Sequence, residues 1–139
     1  MISLTRAFPV LAVADLDIAL AFYTERLGFA LDWREDRIIA AVGNGVVTLF
    51  LKSKDAGGLG PVSVIVNVED ADAVYAAWTA ADVEITDPIA TRTWGVREFT
   101  ARDLDGNELT VGHVDESTAD YSAYTSGADG EPIEDRSEG

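Results

Sequence analysis

The first 113 residues contain the same succession of hydrophobic and polar patterns twice. Each copy opens with a short apolar run, at 9–13 and at 64–68. An acidic residue follows each run, and Asp15 and Asp70 suit helix N-caps because their carboxylates can accept free backbone N–H groups. The caps are 55 residues apart. A segment of helical period and then three short alternating segments follow each cap. The pattern predicts two βαβββ modules.

The apolar positions of the predicted helices have a spacing near 3.6, which indicates one buried face each. They are Ile18, Leu20, Ala21, Phe22 and Leu27 in the first helix, and Ala73, Val74, Ala77 and Trp78 in the second. The strands are predicted at about 29–34, 37–42 and 46–52, and at about 83–87, 95–102 and 107–113. Gly43-Asn44-Gly45 and Asp105-Gly106-Asn107 favour the hairpin turns.

The fold class predicted from these modules is α+β. A sheet covered by one helix leaves its second face open, and two such sheets side by side form a curved, half-open barrel around a concavity that suits a ligand. We expect one domain over residues 1–113, with module 1 at about 1–56 and module 2 at about 57–113. Residues 114–139 are expected to form an acidic tail, since they hold eight acidic residues and one arginine.

Composition narrows the class of protein. The chain of 139 residues has no cysteine and a net charge of −15, which argues against nucleic-acid binding because phosphates require clustered Lys and Arg. No apolar run approaches the roughly 18 residues of a membrane helix, and the N-terminus lacks the pattern of a signal peptide. We therefore expect a cytoplasmic protein with no membrane partner.

Catalytic motifs give little support for an enzyme. The chain has no Gly-x-Ser-x-Gly elbow, no phosphate-binding loop and no dinucleotide fingerprint. Its one histidine, His113, ends the last predicted strand, where an exposed polar role is more common than a ligand role. The adjacent carboxylates Glu35-Asp36 and Glu69-Asp70 fall in predicted turns or caps, which favours solvated charges over acid–base catalysis.

The repeat resembles the vicinal oxygen chelate superfamily of glyoxalases, extradiol dioxygenases and antibiotic-binding proteins, and within it the bleomycin resistance proteins. The resemblance covers about residues 4–112. It is carried by Leu4-Thr5, Pro9–Leu11, Phe22–Phe29, Asp32-Trp33, Glu35-Asp36, Val47–Phe50, Trp94-Gly95, Arg97–Phe99, Arg102-Asp103 and Gly106-Asn107. The Trp94-Gly95 and Arg97–Phe99 pieces and the Pro9 arm point to the binding-protein branch. The acidic tail has no counterpart there.

The resemblance also implies where a metal would be held in the enzymes. The matching positions are Phe8, Ser63, Thr110 and either Thr48 or Phe50. None supplies the imidazole or carboxylate that binds a transition metal tightly. We therefore expect no metal, no other cofactor and no catalytic residues.

Candidate ligand contacts follow from the same resemblance. Trp33 and Trp94 are expected on opposite walls of the groove, where large rings bind flat ligands, with core packing as the alternative for both. Asp32 could pair with a cationic group or could be a solvated carboxylate. The remaining candidates are Phe8, Ile38, Phe50, Ser63 and Thr110, together with Arg97, which could instead bond to neighbours of Glu98. Trp78, by contrast, is expected in the core.

The function that these features favour is sequestration of a drug-sized antibiotic, such as a bleomycin-type glycopeptide, a mitomycin-like compound or an enediyne, without chemical modification. The alternatives are a glyoxalase- or dioxygenase-like enzyme, or a sensor, acting on a small hydrophobic metabolite. The resemblance implies a homodimer whose N-terminal strands are exchanged at Pro9.

Overall fold

The computed structural model describes residues 2–115 and shows two βαβββ modules. In the first, the order is β1 (Val10–Val13), α1 (Leu16–Ala21), a π-helical turn (Phe22–Arg26), β2 (Ala30–Glu35), β3 (Ile39–Asn44), β4 (Val47–Ser53) and a 3₁₀ turn (Lys54–Ala56). In the second it is β5 (Ser63–Asn67), α2 (Ala71–Ala80), β6 (Glu84–Thr91), β7 (Val96–Arg102) and β8 (Glu108–Val114). The predicted α+β class and tandem modules are confirmed.

Each module forms its own four-stranded sheet. The N-terminal sheet has the order β1-β4-β3-β2 and the C-terminal sheet has the order β5-β8-β7-β6. The first strand pairs in parallel with the last strand of its module, and the remaining pairs are antiparallel. The two sheets stay separate, which agrees with the predicted half-open barrel. None of the described helices is long and apolar enough to cross a membrane.

Both helices begin at the predicted caps. The Asp15 carboxylate accepts from the backbone N–H of Ile18, and the Asp70 carboxylate accepts from that of Ala73. The π-helical turn places the consecutive residues Phe22 and Tyr23 both in the core.

The helix faces differ in part from the prediction. Ile18 is exposed, and so are Ala21, Ala73 and Ala77. The spacing of apolar residues does not define a single buried face there, because alanines lie on several sides of each helix. In α2 the residues that face the core are Ala71, Val74, Tyr75 and Trp78. The first hairpin is also displaced by one residue, because Asn44 pairs with Val47 and the turn is formed by Gly45 and Val46.

One core lies between the helices and the helix-facing sides of both sheets. The indole Nε1 of Trp78 donates to the carbonyl of Leu27 at 3.1 Å, which joins α2 to the first module. Tyr23 and Trp78 are both buried in this core. The modules therefore pack through their helices, and the opposite face of each sheet stays open.

The Asp-Gly-Asn turn connects the modules as well. Buried Asp103 accepts from the hydroxyl of Tyr23 at 2.7 Å and from the backbone of Asp105 and Asn107. The amide of Asn107 donates to the carbonyl of Ala12 and accepts from the N–H of Val62. This turn was expected to reverse the chain only. It also satisfies polar groups at the boundary of the two modules, which would be costly if left unpaired.

Predictions for residue 1 and for 116–139 lie outside the described residues. Of the predicted tail, Val114 ends β8, and Asp115 donates its N–H to the carbonyl of Gly95 at 2.9 Å.

Candidate ligand-binding face

The N-terminal sheet presents a row of aromatic and small side chains on the face opposite α1, which we call the N-terminal open face. Strand register aligns Trp33 with Ala41, Ala41 with Phe50, and Phe50 with Val10. Neighbours along β4 alternate: Leu49 and Leu51 are buried under α1, whereas Phe50 lies on the open face. The alternation of this strand thus creates the face.

Three of the predicted ligand residues come together on this face. The ring of Phe50 packs against that of Phe8, with centroids 5.1 Å apart, and against that of Trp33 at 5.6 Å. Phe8 and Trp33 each keep 40% or more of their surface exposed. Such a cluster offers wide apolar area with few rotatable bonds, which suits a flat ligand. We call Phe8, Trp33 and Phe50 the aromatic cluster.

A β-bulge explains how two consecutive residues serve the same face. The register of β2 with β3 shifts between Leu31 and Trp33, so Asp32 is the extra residue. A Cβ added to Gly43 would lie only 2.7 Å from the carboxylate oxygen Oδ2 of Asp32, so this carboxylate lies over the glycine. Within residues 2–115 it has no hydrogen bond or ion pair. Asp32 and Trp33 are therefore neighbours on the open face.

A groove of about 830 Å³ runs from Phe8 of the aromatic cluster to β5. Phe8 and Ser63 both line it, together with Arg6 and Thr48. The predicted positions Phe8 and Ser63 thus lie in one groove. Ile65, at the outer edge of the same groove, is 71% exposed.

The C-terminal sheet presents a different open face, which we call the C-terminal open face. Its equivalent row, by register, is Asp87, Thr100, Thr110 and Ile65. Thr110 and Thr100 share a hydrogen bond of 2.9 Å between their hydroxyls. The predicted position Thr110 therefore lies on the open side of its sheet but already has a side-chain partner.

The charges on the C-terminal open face are paired among themselves. Arg92 contacts Asp87 at 2.9 Å and Glu98 at 3.5 Å. Arg102 contacts Glu84 at 3.2 Å and Glu108 at 2.9 Å. None of these residues was predicted to form an ion pair, because cross-strand ion pairs become visible only once the register is known.

The other predicted ligand residues lie elsewhere. Ile38 lines a cavity of about 350 Å³ near the start of α1, with Arg37 and Asp55. Trp94 is 55% exposed in the turn between β6 and β7, and among the described residues its ring stacks on no other. Whether these two contact a ligand stays a prediction.

Arg97 points toward α2 rather than to the C-terminal open face. Its guanidinium makes a two-pronged contact with the Asp72 carboxylate, at 2.8 and 2.9 Å, and also donates to the hydroxyl of Thr91. The hydrogen bond from Arg97 is the main cause that lowers the pKa of Asp72. Of the two roles weighed from the sequence, this contact supports bonding within the protein, although the acceptor is Asp72 and not a neighbour of Glu98.

His113 lies on the same helix-facing side. Its Nδ1 accepts from the backbone N–H of Ala71 at 2.9 Å, so it caps the start of α2. The ring is half-buried rather than exposed. The sequence favoured an exposed polar residue at this position, and the structure shows a helix cap instead.

Comparison with known proteins identifies the family. Residues 5–111 match the Glyoxalase/Bleomycin resistance protein/Dioxygenase superfamily. The chain belongs to this superfamily. A comparison with curated proteins gave no match.

Several solved structures resemble the chain. TioX from Micromonospora sp. ML1 is 28% identical with a TM-score of 0.69, over 78% of this chain and 99% of TioX. A bleomycin-binding protein from bleomycin-producing Streptomyces verticillus, in complex with copper(II)-bleomycin, is 28% identical with a TM-score of 0.62, over 83% and 98%. A lactoylglutathione lyase from Agrobacterium tumefaciens, 20% identical with a TM-score of 0.65 over 78% and 94%, shares the fold.

The positions implied for the metal of superfamily enzymes do not fit a metal in this chain. Phe8 has no donor atom and its ring packs on Phe50, while Ser63 and Thr48 offer neutral hydroxyls. The Thr110 hydroxyl shares a hydrogen bond with the hydroxyl of Thr100. In the part of the chain that the structure describes, no three His, Asp or Glu side chains form a group that could hold a metal ion.

Sequence reasoning did not place Ala41, Gly43 or Lys52 on the N-terminal open face. Ala41 and Gly43 leave space under the rings and the Asp32 carboxylate, and Lys52 follows Phe50 on the same side of β4. The alternation of Thr48, Phe50 and Lys52 was a usable signal for Lys52. The two small residues could be placed only with the strand register.

Proposed function

We propose that this protein binds a drug-sized natural product and confers resistance by sequestering it without chemical change. The observation that carries the proposal is the N-terminal open face, where the aromatic cluster lies beside the unpaired carboxylate of Asp32. A flat ring system would stack on the cluster, and a cationic group of the ligand would pair with Asp32. The bleomycin-bound relative from Streptomyces verticillus supports this choice of ligand class.

The proposed mechanism is mass action. Tight binding lowers the concentration of free drug, and each site removes one molecule. The residues at the implied metal positions favour binding over catalysis, because hydroxyls and phenyl rings supply neither a Lewis acid nor a strong general base. We propose Trp94 as a contact from the opposite wall of the site, since its exposed ring has no stacking partner among the described residues.

The proposed active form is a homodimer with exchanged N-terminal strands. The sheets of one chain leave both open faces without a covering layer, and exposed Ile65 marks the edge strand β5 of the C-terminal sheet. The carbonyl of Pro9 accepts from the N–H of Phe50 at 3.0 Å, so the ladder starts at this residue and residues 2–8 form an arm ahead of it. Exchange of an identical element is a low-cost route to a symmetric dimer.

Sedimentation tests the arm. Deleting residues 1–8 should shift the protein toward monomer, and an unchanged dimer would refute strand exchange. Binding can be examined separately in the full-length chain.

A thermal-shift screen against DNA-damaging natural products, including bleomycin, mitomycin C and an enediyne, tests the proposed function. A ligand at 100 times its dissociation constant should stabilise the protein by about 2.7 kcal/mol. Bound drug recovered after denaturation should be unaltered. Multiple turnovers with excess drug would favour the enzyme alternative, and no stabilisation by any compound would contradict the proposal.

A further inference from the structure

The buried side chain of Asn107 fastens the first strands of the two modules to each other. Its amide nitrogen donates to the carbonyl of Ala12 in β1, and its amide oxygen accepts from the N–H of Val62, just before β5; both distances are 2.9 Å. A backbone carbonyl only accepts and a backbone N–H only donates, so these partners fix the orientation of the amide. Its Nδ2 also donates to the carboxylate of Asp103 at 3.0 Å. We call the bonds of Asn107 to Ala12 and Val62 the Asn107 clamp.

The backbone packs closely around the Asn107 clamp. A Cβ added to Gly60 would lie 3.0 Å from the Cβ of Ala12, so the segment before β5 lies directly on β1. The carboxylate of Asp105 accepts from the N–H of Ala14 at 2.8 Å, which attaches the same turn to the chain just beyond β1. The start of β5 is therefore held against the end of β1.

The repeat contains an equivalent junction in which valine occupies the position of Asn107. Leu51 of β4 and Val111 of β8 are equivalent, because each pairs with the same position in the first strand of its module. Val47 lies four residues before Leu51, and Asn107 lies four residues before Val111. A valine side chain has no polar atom, so Val47 cannot join two backbone groups as Asn107 does.

The groove of about 830 Å³ lies at this second junction. Val47 lines it from module 1, and Val66 and Asn67 line it from β5. Phe8 and Ser63 line the same groove, and Ser63 directly follows Val62 of the Asn107 clamp. The two modules are thus fastened at one end of β5 and border a groove along the rest of it.

We infer that Asn107 is a positioning residue that sets the separation of the two modules across this groove. Its own side chain is 0% exposed, so it acts through the backbone of Ala12 and Val62. The inference rests on the proposed function in that the groove, which includes Phe8, forms part of the ligand site. Without the Asn107 clamp the groove varies in width, and a ligand loses affinity although every residue that contacts it is still present.

The distance between two spin labels measures this separation directly. The chain has no cysteine, so Val46→Cys and Glu69→Cys label only two exposed positions, one in the turn beside Val47 and one just beyond β5. Labelled full-length protein is diluted with unlabelled protein, so that distances between chains do not contribute.

Three further substitutions are compared in this labelled background. Asn107→Ala removes the Asn107 clamp, and Asp105→Ala removes only the bond to the N–H of Ala14. Tyr23→Phe is the matched control, because it removes a buried hydrogen bond to Asp103 of the same turn but leaves both bonds of the Asn107 clamp in place.

Asn107→Ala should shift the label distances to longer values and broaden their distribution. Asp105→Ala should have the same effect to a smaller extent, and it decides the question if Asn107→Ala does not fold. Tyr23→Phe should leave the distribution unchanged. In the unlabelled protein, Asn107→Ala should weaken the binding of bleomycin about three- to tenfold, the effect of losing about one hydrogen bond.

The outcomes separate this inference from the proposed function. Unchanged distances in Asn107→Ala and Asp105→Ala overturn the positioning role, and so does equal broadening in Tyr23→Phe, which would assign the change to lost stability. Broadened distances with full affinity for bleomycin refute a role of the groove in binding. If bleomycin does not bind the wild-type protein while the distances respond to Asn107→Ala, the positioning role stands and the proposed ligand is wrong.

Discussion

The two open faces are built on the same strand pairing but carry different chemistry. On the N-terminal sheet the central row is Trp33, Ala41, Phe50 and Val10, and on the C-terminal sheet it is Asp87, Thr100, Thr110 and Ile65. The helix-facing rows, in contrast, are mainly apolar in both modules, with Arg97 and His113 at one end of the second. The two modules therefore share an apolar helix-facing side, whereas the chemistry of their open faces differs.

The difference shows which face is available for a ligand. Arginine–carboxylate pairs and a Thr–Thr hydrogen bond already satisfy much of the C-terminal open face. The N-terminal open face keeps exposed rings and unpaired charges, which add little to the stability of the unliganded protein. A role in binding gives these features a physical reason. The C-terminal open face is better suited to form the opposite, polar wall.

The largest expected effect concerns the core that both modules share. Trp78→Ala should lower the free energy of unfolding by about 3–5 kcal/mol, because it creates a large cavity. It also removes the hydrogen bond to the Leu27 carbonyl. Urea denaturation should show one transition for both modules at a lower midpoint. Trp94→Ala, in an exposed turn, should change stability by less than about 0.5 kcal/mol. Equal losses in the two variants would place Trp94 in the core.

The next effect is on binding. Trp33→Ala should weaken binding of the drug found in the screen by roughly 5- to 150-fold, the range for loss of one aromatic stacking partner at about 1–3 kcal/mol. Trp94→Ala should have an effect in the same range if it forms the opposite wall. Calorimetric titration and thermal melting on the same samples separate affinity from stability. Full affinity in Trp33→Ala would show that the aromatic cluster is not the site.

Much of the fold could be predicted from the sequence, because it depends on local signals. Asp15 and Asp70 cap their helices as the pattern indicates, and the strands agree to within a few residues. The open faces depend on cross-strand register, which local patterns do not contain. The bulge at Asp32, the ion pairs of Arg92 and the contact of Arg97 with Asp72 therefore became apparent only in three dimensions.

Alkaline pH should weaken the connection between the modules. Burial is the main cause that raises the pKa of Tyr23 far above its ordinary value near 10, and the charge of Asp103 contributes. The folded state keeps this phenol protonated where the unfolded state loses the proton. The resulting stability is complete below about pH 10 and declines above it, by up to about 1.4 kcal/mol per pH unit.

Tyr23→Phe is the control for this pH dependence. The variant should lose the decline above pH 10 that Tyr23 causes, and it should lose about 1–3 kcal/mol at neutral pH because Asp103 loses a buried donor. Unfolding in urea from pH 7 to 10.5 measures both quantities. Identical pH profiles for the two proteins would refute the assignment.

A smaller effect on stability should distinguish the paired Arg92 of the C-terminal open face from the unpaired Lys52 of the N-terminal open face. Arg92→Met leaves Asp87 and Glu98 without their partner on a partly buried surface, so stability should fall by up to about 1 kcal/mol. Lys52→Gln breaks no pair and should leave stability unchanged. Thermal unfolding of both variants at low and at high salt checks this difference. A loss in Lys52→Gln as large as that in Arg92→Met would mean that Lys52 has a structural role.

The smallest expected effect tests the position of the Asp32 carboxylate. In Gly43→Ala the new Cβ would lie 2.7 Å from Asp32 Oδ2, and the end of this side chain can move away. Stability should therefore change by less than about 0.5 kcal/mol, while a cationic ligand should bind about two- to fivefold more weakly. Gly112→Ala is the contrast in the second module, because its Cβ would meet the Arg97 carbonyl at 3.0 Å and the Cβ of Glu98 at 2.9 Å. Backbone cannot yield as a side-chain end does, so Gly112→Ala should reduce stability instead. If Gly43→Ala leaves the affinity for bleomycin unchanged, Asp32 does not contact its cationic group, and the N-terminal open face binds through its rings alone.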